Sequence, residues 1–490
     1  MILKLVGHGY KYAVEQIMLA LFPGEKPEYS DARIVGSDEL VAESALRFGS
    51  AYAQAVTAIR CGDRVSRGIA RISRGSLTDK LVADRMLQRI IKQAFFRAAL
   101  RFVGAPPPWG SLTGIRPAKL AAAALESGLS AKSAARRLAR DYYVSPERAA
   151  MCVDAAQAAL AVKGTLEPGD IALYIGIPFC PTRCAYCSFV SNSVEKSFGL
   201  VDPFVRALLN EIGAASKAVR DLGLRVVSVY FGGGTPTALP GPALEAVMRA
   251  VGDSFDLSGA REYTVEAGRP DTITEEKLGI LAGFGAGRVC VNPQSMSGAV
   301  LSAIGRRHTP EDVLEAARLV RNAPGMTLNM DIIAGLPADT PEGFERTLDA
   351  VLRQTPENVT VHTLSLKKGS RIMLDGTAVP SGEDVAAMLA CAARRLSGPG
   401  YRPYYLYRQK FSSGGFENTG WSLPGRECIY NICMMEELCT VLALGGGGVT
   451  KLVSPGGRIE RIFNAKYPRE YILFADKIPD KFERVRRFCG

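Results

Sequence analysis

Cys180, Cys184 and Cys187 stand at C-x3-C-x2-C spacing, directly after the strand-like run Tyr174-Ile175-Gly176-Ile177-Pro178-Phe179. Three thiolates can hold three corners of a cubane 4Fe–4S cluster and leave the fourth iron without a protein ligand. A site of that kind binds a small molecule at the open iron. The occupant that fits is S-adenosylmethionine, whose amino and carboxylate groups chelate the metal. One electron from the cluster then splits the sulfonium and releases a 5′-deoxyadenosyl radical. Structural zinc fits poorly, because it takes four ligands, usually as two separated pairs. Phe189 occupies the place of a nearby fourth sulfur, and the only histidines are His8, His308 and His362. Nor do 11 cysteines, an odd count in a long chain, make a disulfide framework.

The elements that must position these residues can be read from the pattern around them. From about Ile171, apolar strand-like runs alternate with amphipathic helical stretches. The runs are Ala172–Ile177, Val226–Phe231, Glu262–Val265, Arg288–Val291, Thr327–Ile333, Val359–Leu366 and Tyr404–Tyr407. Between them fall helical patterns such as Phe204–Leu222, Ala243–Phe255, Pro310–Arg321 and Pro341–Leu352. Six or seven βα units predict an α/β fold with a parallel sheet curved into a barrel, complete or open. Chemistry in such folds sits at the C-terminal strand ends, where the cysteine loop follows the first strand of the series.

Further polar residues stand at successive strand ends. Gly232-Gly233-Gly234-Thr235 closes the second strand and offers bare backbone to a charged ligand. Glu266 ends the third, Gln294 ends the fourth, Arg306 follows, and Asp331 lies within the fifth. A carboxylate on an apolar strand needs a partner. That partner is either an internal ion pair, such as Glu266 with Arg306, or a cationic sulfonium ligand whose carboxylate an arginine clamps. Lesser candidates are the aromatic and basic run Tyr401–Arg408, Lys367 and Lys368 after the sixth strand, and His362 as a proton donor. Cys428, Cys433 and Cys439 read as core thiols on a helix rather than a second cluster.

Composition sets the class. The 490 residues are 47% apolar and 22% charged, which is ordinary for a globular protein of two to four units. No apolar stretch approaches the ~18 residues of a bilayer span, and Met1–Tyr12 lacks the pattern of an export signal, so the expected location is cytoplasmic. The net charge of +11 suits an anionic partner, yet the basic residues read as scattered along the chain. The expected organisation is an N-terminal α+β domain over 1–105, a mostly helical connector over 106–165, the barrel over 166–410 and a small C-terminal appendix over 411–490. Leu81–Phe102 reads as an amphipathic helix, Pro106-Pro107-Pro108-Trp109-Gly110 as a boundary or rigid loop, and Gly445–Gly448 as a tight turn or close backbone approach.

Together the cysteine loop, Gly232–Thr237, Glu266, Gln294, Arg306 and Asp331 resemble the radical-SAM family of oxygen-independent coproporphyrinogen III oxidases (dehydrogenases). Pro108-Trp109-Gly110, Thr113-Gly114-Ile115-Arg116-Pro117, Val361-His362-Thr363-Leu364 and Tyr405–Lys410 resemble its N-terminally extended HemZ-type branch. The resemblance implies a partial (βα)6-type radical-SAM barrel and an oxidoreductase of haem and porphyrin biosynthesis. Such an enzyme converts two propionates of coproporphyrinogen III to vinyls, giving protoporphyrinogen IX. It also implies that Tyr174, Tyr186, Gly233, Gly234, Thr235, Glu266, Gln294, Arg306 and Asp331 bind S-adenosylmethionine, with Tyr186 on its adenine. Ile333 would lie near a second S-adenosylmethionine. The implied partners are an anionic tetrapyrrole and an electron donor such as flavodoxin or ferredoxin. Two departures stand out. Gly176 replaces a histidine of the best-described branch, and Tyr430 replaces the histidine of a His-Asn haem-binding pair in a sister branch of haem chaperones. The alternatives are a haem-binding chaperone of the same fold and a radical-SAM enzyme acting on RNA through a basic N-terminal unit.

Overall fold

The computed structural model describes every residue except 31–38, 188–191, 194–196, 367–369, 410–414 and 474. The chain divides into two compact units, Met1–Val153 and Asp154–Gly490.

In the first unit, Ile2–Val6 (β1), Glu28–Tyr29 (β2), Val41–Phe48 (β3), Tyr52–Cys61 (β4) and Arg64–Ser73 (β5) form one sheet, ordered β2-β1-β3-β4-β5. Alternation of buried and exposed residues along β4 and β5 marks a sheet covered on one face only. The cover is the helices Lys11–Leu21 and Lys80–Ala99, whose Val14, Ile17, Ile90, Ala94 and Phe95 pack with Ala53, Ala55, Ile59 and Ala70. The second helix starts where Asp79 accepts from the amides of Leu81 and Val82, a side-chain cap. It lies so close to β5 that a Cβ on Gly68 would meet the Ala94 carbonyl. The stretch 118–161 is three helices, Ala118–Glu126, Ala131–Tyr142 and Pro146–Lys163. Trp109 is buried, and the neighbouring Ser111 amide donates to the Tyr142 carbonyl (2.7 Å), so the proline-rich stretch is a packed loop.

The second unit holds six parallel strands in sequence order: Asp170–Ile177 (β6), Arg225–Gly233 (β9), Glu262–Val265 (β10), Arg288–Cys290 (β11), Thr327–Ala334 (β12) and Asn358–Thr363 (β13). A short pairing of Phe179–Cys180 (β7) with Asn192–Ser193 (β8) follows the first of them. Helices separate the strands, so the sheet is an open (βα)6 array rather than a closed barrel. The seventh run differs from its sequence reading. Arg402–Arg408 (β14) does not extend the parallel series. Glu417–Ser422 (β15) inserts antiparallel beside β13, and β14 pairs antiparallel with β15 at the edge. Thr440–Gly445 (β16) pairs parallel with β6 at the opposite side, followed by the antiparallel Val449–Val453 (β17) and Ile459–Phe463 (β18).

Candidate functional site

The strand ends surround one cavity of about 540 Å³. Cys180, Cys184 and Cys187 line it with Tyr174, Tyr186, Gly233, Gly234, Thr235, Glu266, Gln294, Arg306, Asp331, Ile333 and His362. Phe189, Lys367, Lys368 and Lys410 lie outside the described residues.

The cysteine loop is held from several sides. The Ala185 amide donates to the Ile304 carbonyl (2.9 Å), and the Cys187 amide to the Cys184 carbonyl (3.1 Å). Arg269, only 2% exposed, donates to the Thr182 hydroxyl (2.9 Å) and pairs with Asp271 (3.1 Å). Cys180 Sγ lies 3.4 Å from the Thr235 hydroxyl. Gly233 and Gly234 answer a demand of the fold as well as of a ligand. A Cβ on Gly234 would sit 2.3 Å from the Phe179 carbonyl oxygen, and Gly233 has φ +106° with Ile177 backbone 2.9 Å from its missing Cβ. Only side-chain-free backbone lets β9 close against the segment that leads into the cysteines.

The Gly445–Gly448 turn supports that segment from the other side. The Gly446 amide donates to the Gly176 carbonyl (3.1 Å). A Cβ on Gly176 would stand 2.7 Å from the Gly446 oxygen, and one on Gly446 would stand 2.6 Å from Pro178. No larger residue fits at 176 beside this turn, which explains the departure at that position in steric terms.

The charged groups are ordered by neighbours rather than paired with each other. Glu266 accepts from Tyr230 and from Asn292 Nδ2 (3.0 Å). Arg306 donates to the carbonyls of Asn292 (2.6 Å) and Gly268 (3.1 Å) and to the Tyr186 hydroxyl (3.1 Å). The internal Glu266–Arg306 ion pair weighed from sequence is not formed. Gln294 is held at φ +65°, pinned by its amide to the Asp331 carbonyl (3.0 Å) and by its carbonyl to the Ile333 amide (3.1 Å). Strain of this kind gathers at functional sites. Gln294 Oε1, Asn292 Oδ1 and Arg306 Nε are buried without a hydrogen-bond partner among the described residues. His362 Nε2 lies 3.3 Å from Asp331 Oδ2. Burial alone would lower the His362 pKa, but the adjacent Asp331 carboxylate outweighs it and the net shift is upward. For His308, burial and the neighbouring Arg306 and Arg269 cations push the pKa down to about 4, so it is neutral near pH 7.

Burial, reinforced by the Asp331 charge, raises Glu266 to about 7. The folded chain then holds a proton that the unfolded chain, with its carboxyl near 4.5, releases. The associated stability is complete below about pH 4.5 and is lost as pH rises through 7, a change of about 3 kcal/mol. Urea unfolding of cofactor-free protein at pH 5 and pH 8 is expected to show this fall, and Glu266→Gln to flatten it. An equal fall in the variant would remove Glu266 as its source.

Tyr230, which lines the cavity, carried no signal in the linear sequence. Tyr230 stacks on Tyr430 with ring centroids 4.2 Å apart, and Tyr174 lies 5.9 Å from Tyr430. Tyr430 is fixed at the start of the helix Ile429–Glu436, where the Glu262 carboxylate accepts from the amides of Ile429 (2.7 Å) and Tyr430 (3.3 Å). Asn431 donates to the Tyr404 hydroxyl (3.3 Å). Cys428, Cys433 and Cys439 are buried in the same cluster, with Cys428 Sγ donating to Glu262 (3.1 Å). Of the aromatic and basic run, Tyr405 and Tyr407 line the cavity, while Arg408 donates to the Gly415 carbonyl (2.8 Å).

Residues 174–351 match the Radical SAM superfamily. The chain is 38% identical over 395 residues to the oxygen-independent coproporphyrinogen-III oxidase-like protein HemZ of Bacillus subtilis, covering 79% of each. The chain belongs to this HemZ-like radical SAM family. It is also 26% identical to the heme chaperone HemW of Escherichia coli, over 62% of this chain and 75% of that one. Its fold is similar to that of the Escherichia coli coproporphyrinogen III oxidase HemN, a radical SAM enzyme. The TM-score is 0.52 at 21% identity, over 66% of this chain and 72% of that one.

Radical SAM membership implies a 4Fe–4S cluster and S-adenosylmethionine, and the cavity fits both. Among the described residues, no three His, Cys, Asp or Glu side chains converge on a single-ion site. The three thiols line one wider cavity, as a multi-iron cluster bridged by its own sulfides requires. The unpartnered Gln294, Asn292 and Arg306 atoms supply acceptors and a donor for a polar ligand. No helix among the described residues is long and apolar enough to cross a membrane.

Proposed function

We propose that the protein is a radical S-adenosylmethionine oxidoreductase that acts on coproporphyrinogen III, converting propionates to vinyls without oxygen; each conversion releases carbon dioxide, gives one hydrogen atom to the 5′-deoxyadenosyl radical and passes one electron to an external acceptor. The observation that carries the reading is the gathering of three thiols, the glycine turn and the Glu266, Gln294, Arg306 and Asp331 side chains around one cavity at successive parallel strand ends. Cys180, Cys184 and Cys187 would hold the cluster. When bound, the cluster and S-adenosylmethionine supply a carbon radical able to take a hydrogen atom from an unactivated C–H bond.

This chain's own residues bind and orient. Gly233, Gly234 and Thr235 would present backbone to the ligand's methionine end, and Arg306 would face its carboxylate. Glu266 and Asp331 would face hydroxyls or positive charge, and Tyr174 and Tyr186 would pack on the flat parts of the ligand. Ile333 would lie near a second S-adenosylmethionine. Tyr405 and Tyr407 offer ring faces to a macrocycle. His362, held by Asp331, would meet a substrate carboxylate or donate a proton to it. The one-electron step itself would draw on a flavodoxin- or ferredoxin-like donor. A cytoplasmic setting keeps the thiols reduced.

The test is anaerobic incubation with coproporphyrinogen III, S-adenosylmethionine and a reductant, followed by product analysis. Mono- and divinyl products are expected together with 5′-deoxyadenosine. Stoichiometric haem binding without turnover would instead favour a haem carrier, a reading that the stacked Tyr430 in place of a histidine ligand disfavours.

A further inference from the structure

Residues Met1–Val153 contain 23 lysines and arginines against 13 aspartates and glutamates, while Asp154–Gly490 contain 37 against 36. The smaller unit therefore carries ten of the eleven net positive charges, and the larger is close to neutral.

The structure also gives this surplus a surface. Both helices that cover the N-terminal sheet pack on the face carrying Ala53, Ala55, Ile59 and Ala70. The opposite face of β3, β4 and β5 presents Arg47, Arg60, Arg67 and Arg71, all exposed. Register sets their places. Arg47 and Arg71 both lie opposite Gln54, one on each neighbouring strand, Arg67 lies opposite Ala58, and Arg60 opposite Val65. Same-face residues repeat about every 6.8 Å along a strand, so the four guanidiniums spread over a patch on the order of 20 Å long. Among the described residues, Arg47, Arg60 and Arg67 form no ion pair, and Arg71 donates only to Gln54 (2.5 Å). The one carboxylate among them, Glu43, is matched by Lys4 at 3.7 Å. Ile69, 44% exposed, stands between Arg67 and Arg71, and Tyr52, 56% exposed, ends the face.

A second copy of the chain is a poor occupant, since it would bring the same positive charge. A typical protein partner meets an apolar centre with charges at the rim. Here guanidinium and aliphatic side chains alternate within a single strand instead. That alternation suits a phosphate track with bases lying over it, because guanidinium planes and a tyrosine ring both serve as stacking surfaces. We propose that the open face of the N-terminal sheet binds single-stranded nucleic acid, with Arg47, Arg60, Arg67 and Arg71 on the phosphates and Tyr52 under a base. This proposal does not depend on the chemistry assigned to the larger unit.

The test uses the full chain and a fluorescein-labelled 20-nucleotide oligouridylate, read by anisotropy across a salt series. Each phosphate neutralised on a single strand contributes about −0.7 to the slope of log K against log salt, so four predict about −3. The fourfold variant Arg47→Gln/Arg60→Gln/Arg67→Gln/Arg71→Gln should weaken binding by about 100-fold at 50 mM salt and flatten the slope. Arg249→Gln/Arg318→Gln, two exposed sites on the other unit, should change it less than twofold. Should the fourfold variant fold poorly, photocrosslinking of a 4-thiouridine oligonucleotide to the native chain keeps the test open, with crosslinks expected within residues 41–73. Any of three results would overturn the proposal: no binding at micromolar protein in 50 mM salt, native affinity in the fourfold variant, or crosslinks confined outside that span. Displacement by polyglutamate at equal charge concentration would also overturn it, assigning the face to an acidic protein.

Discussion

Cys184→Ala is expected to abolish reductant-dependent formation of 5′-deoxyadenosine, a loss of at least about a thousandfold. The reason is the ligand count. With three thiolates the proposed cluster would already lack a protein ligand at one iron, and removing another would leave two anchors for four metals. Cys184 is the most enclosed of the three thiols, at 9% exposure, and its carbonyl accepts from the Cys187 amide. Iron content and the visible absorption of the reconstituted variant should fall with activity, while circular dichroism stays native. Retention of both iron and deoxyadenosine formation would remove Cys184 from the ligand set.

Lys481→Met should destabilise the larger unit by about 3–5 kcal/mol, the cost of leaving a buried charge without its partner. Lys481 Nζ lies 2.8 Å from Glu211 Oε1, with side-chain exposures of 7% and 1%. The same carboxylate accepts from the Gly445 amide (2.7 Å), from Asn464 (3.0 Å) and from Tyr471 (2.5 Å). One ion thus ties the helix Val201–Asp221, β16 and the terminal helix Ile478–Cys489 to the glycine turn that packs on Gly176 and Pro178. Removal of the ammonium leaves the Glu211 carboxylate buried without its cation. Chemical denaturation measures the loss. The double variant Glu211→Gln/Lys481→Met should recover part of it, because an amide keeps the hydrogen bond to Gly445 without the charge. A loss below about 1 kcal/mol in the single variant would mean that the network relaxes around the change.

Much of the larger unit was legible because its chemistry is local. Buried parallel strands are short apolar runs, and the helices between them carry one apolar face, so β6 and β9–β13 could be bounded closely from the sequence. The cysteine loop was legible by spacing, and Glu266, Gln294 and Asp331 by polarity at the ends of apolar runs. Strand direction was not, since a run such as Tyr404–Tyr407 has the same composition either way. β15 was missed for a different reason. Glu417, Asn418, Thr419 and Ser422 are polar yet fully buried, because Asn418 lines the cavity and holds the Thr363 amide (2.9 Å). A site inside a fold inverts the hydropathy rule that finds strands. Arg269, whose contacts cross from one βα unit to the cysteine loop, and the pairing of Glu211 with Lys481 depend on positions far apart in the chain, which no periodicity encodes.

The proposed cluster is held by Cys180, Cys184 and Cys187, with one iron open to S-adenosylmethionine. Mössbauer spectroscopy of anaerobically reconstituted, ⁵⁷Fe-labelled protein reads that ligation iron by iron. A 4Fe–4S signal is expected, in which one iron of four shifts when S-adenosylmethionine is added. Four irons that stay unchanged on its addition, or protein that retains zinc and no cubane signal, would rule out this ligation.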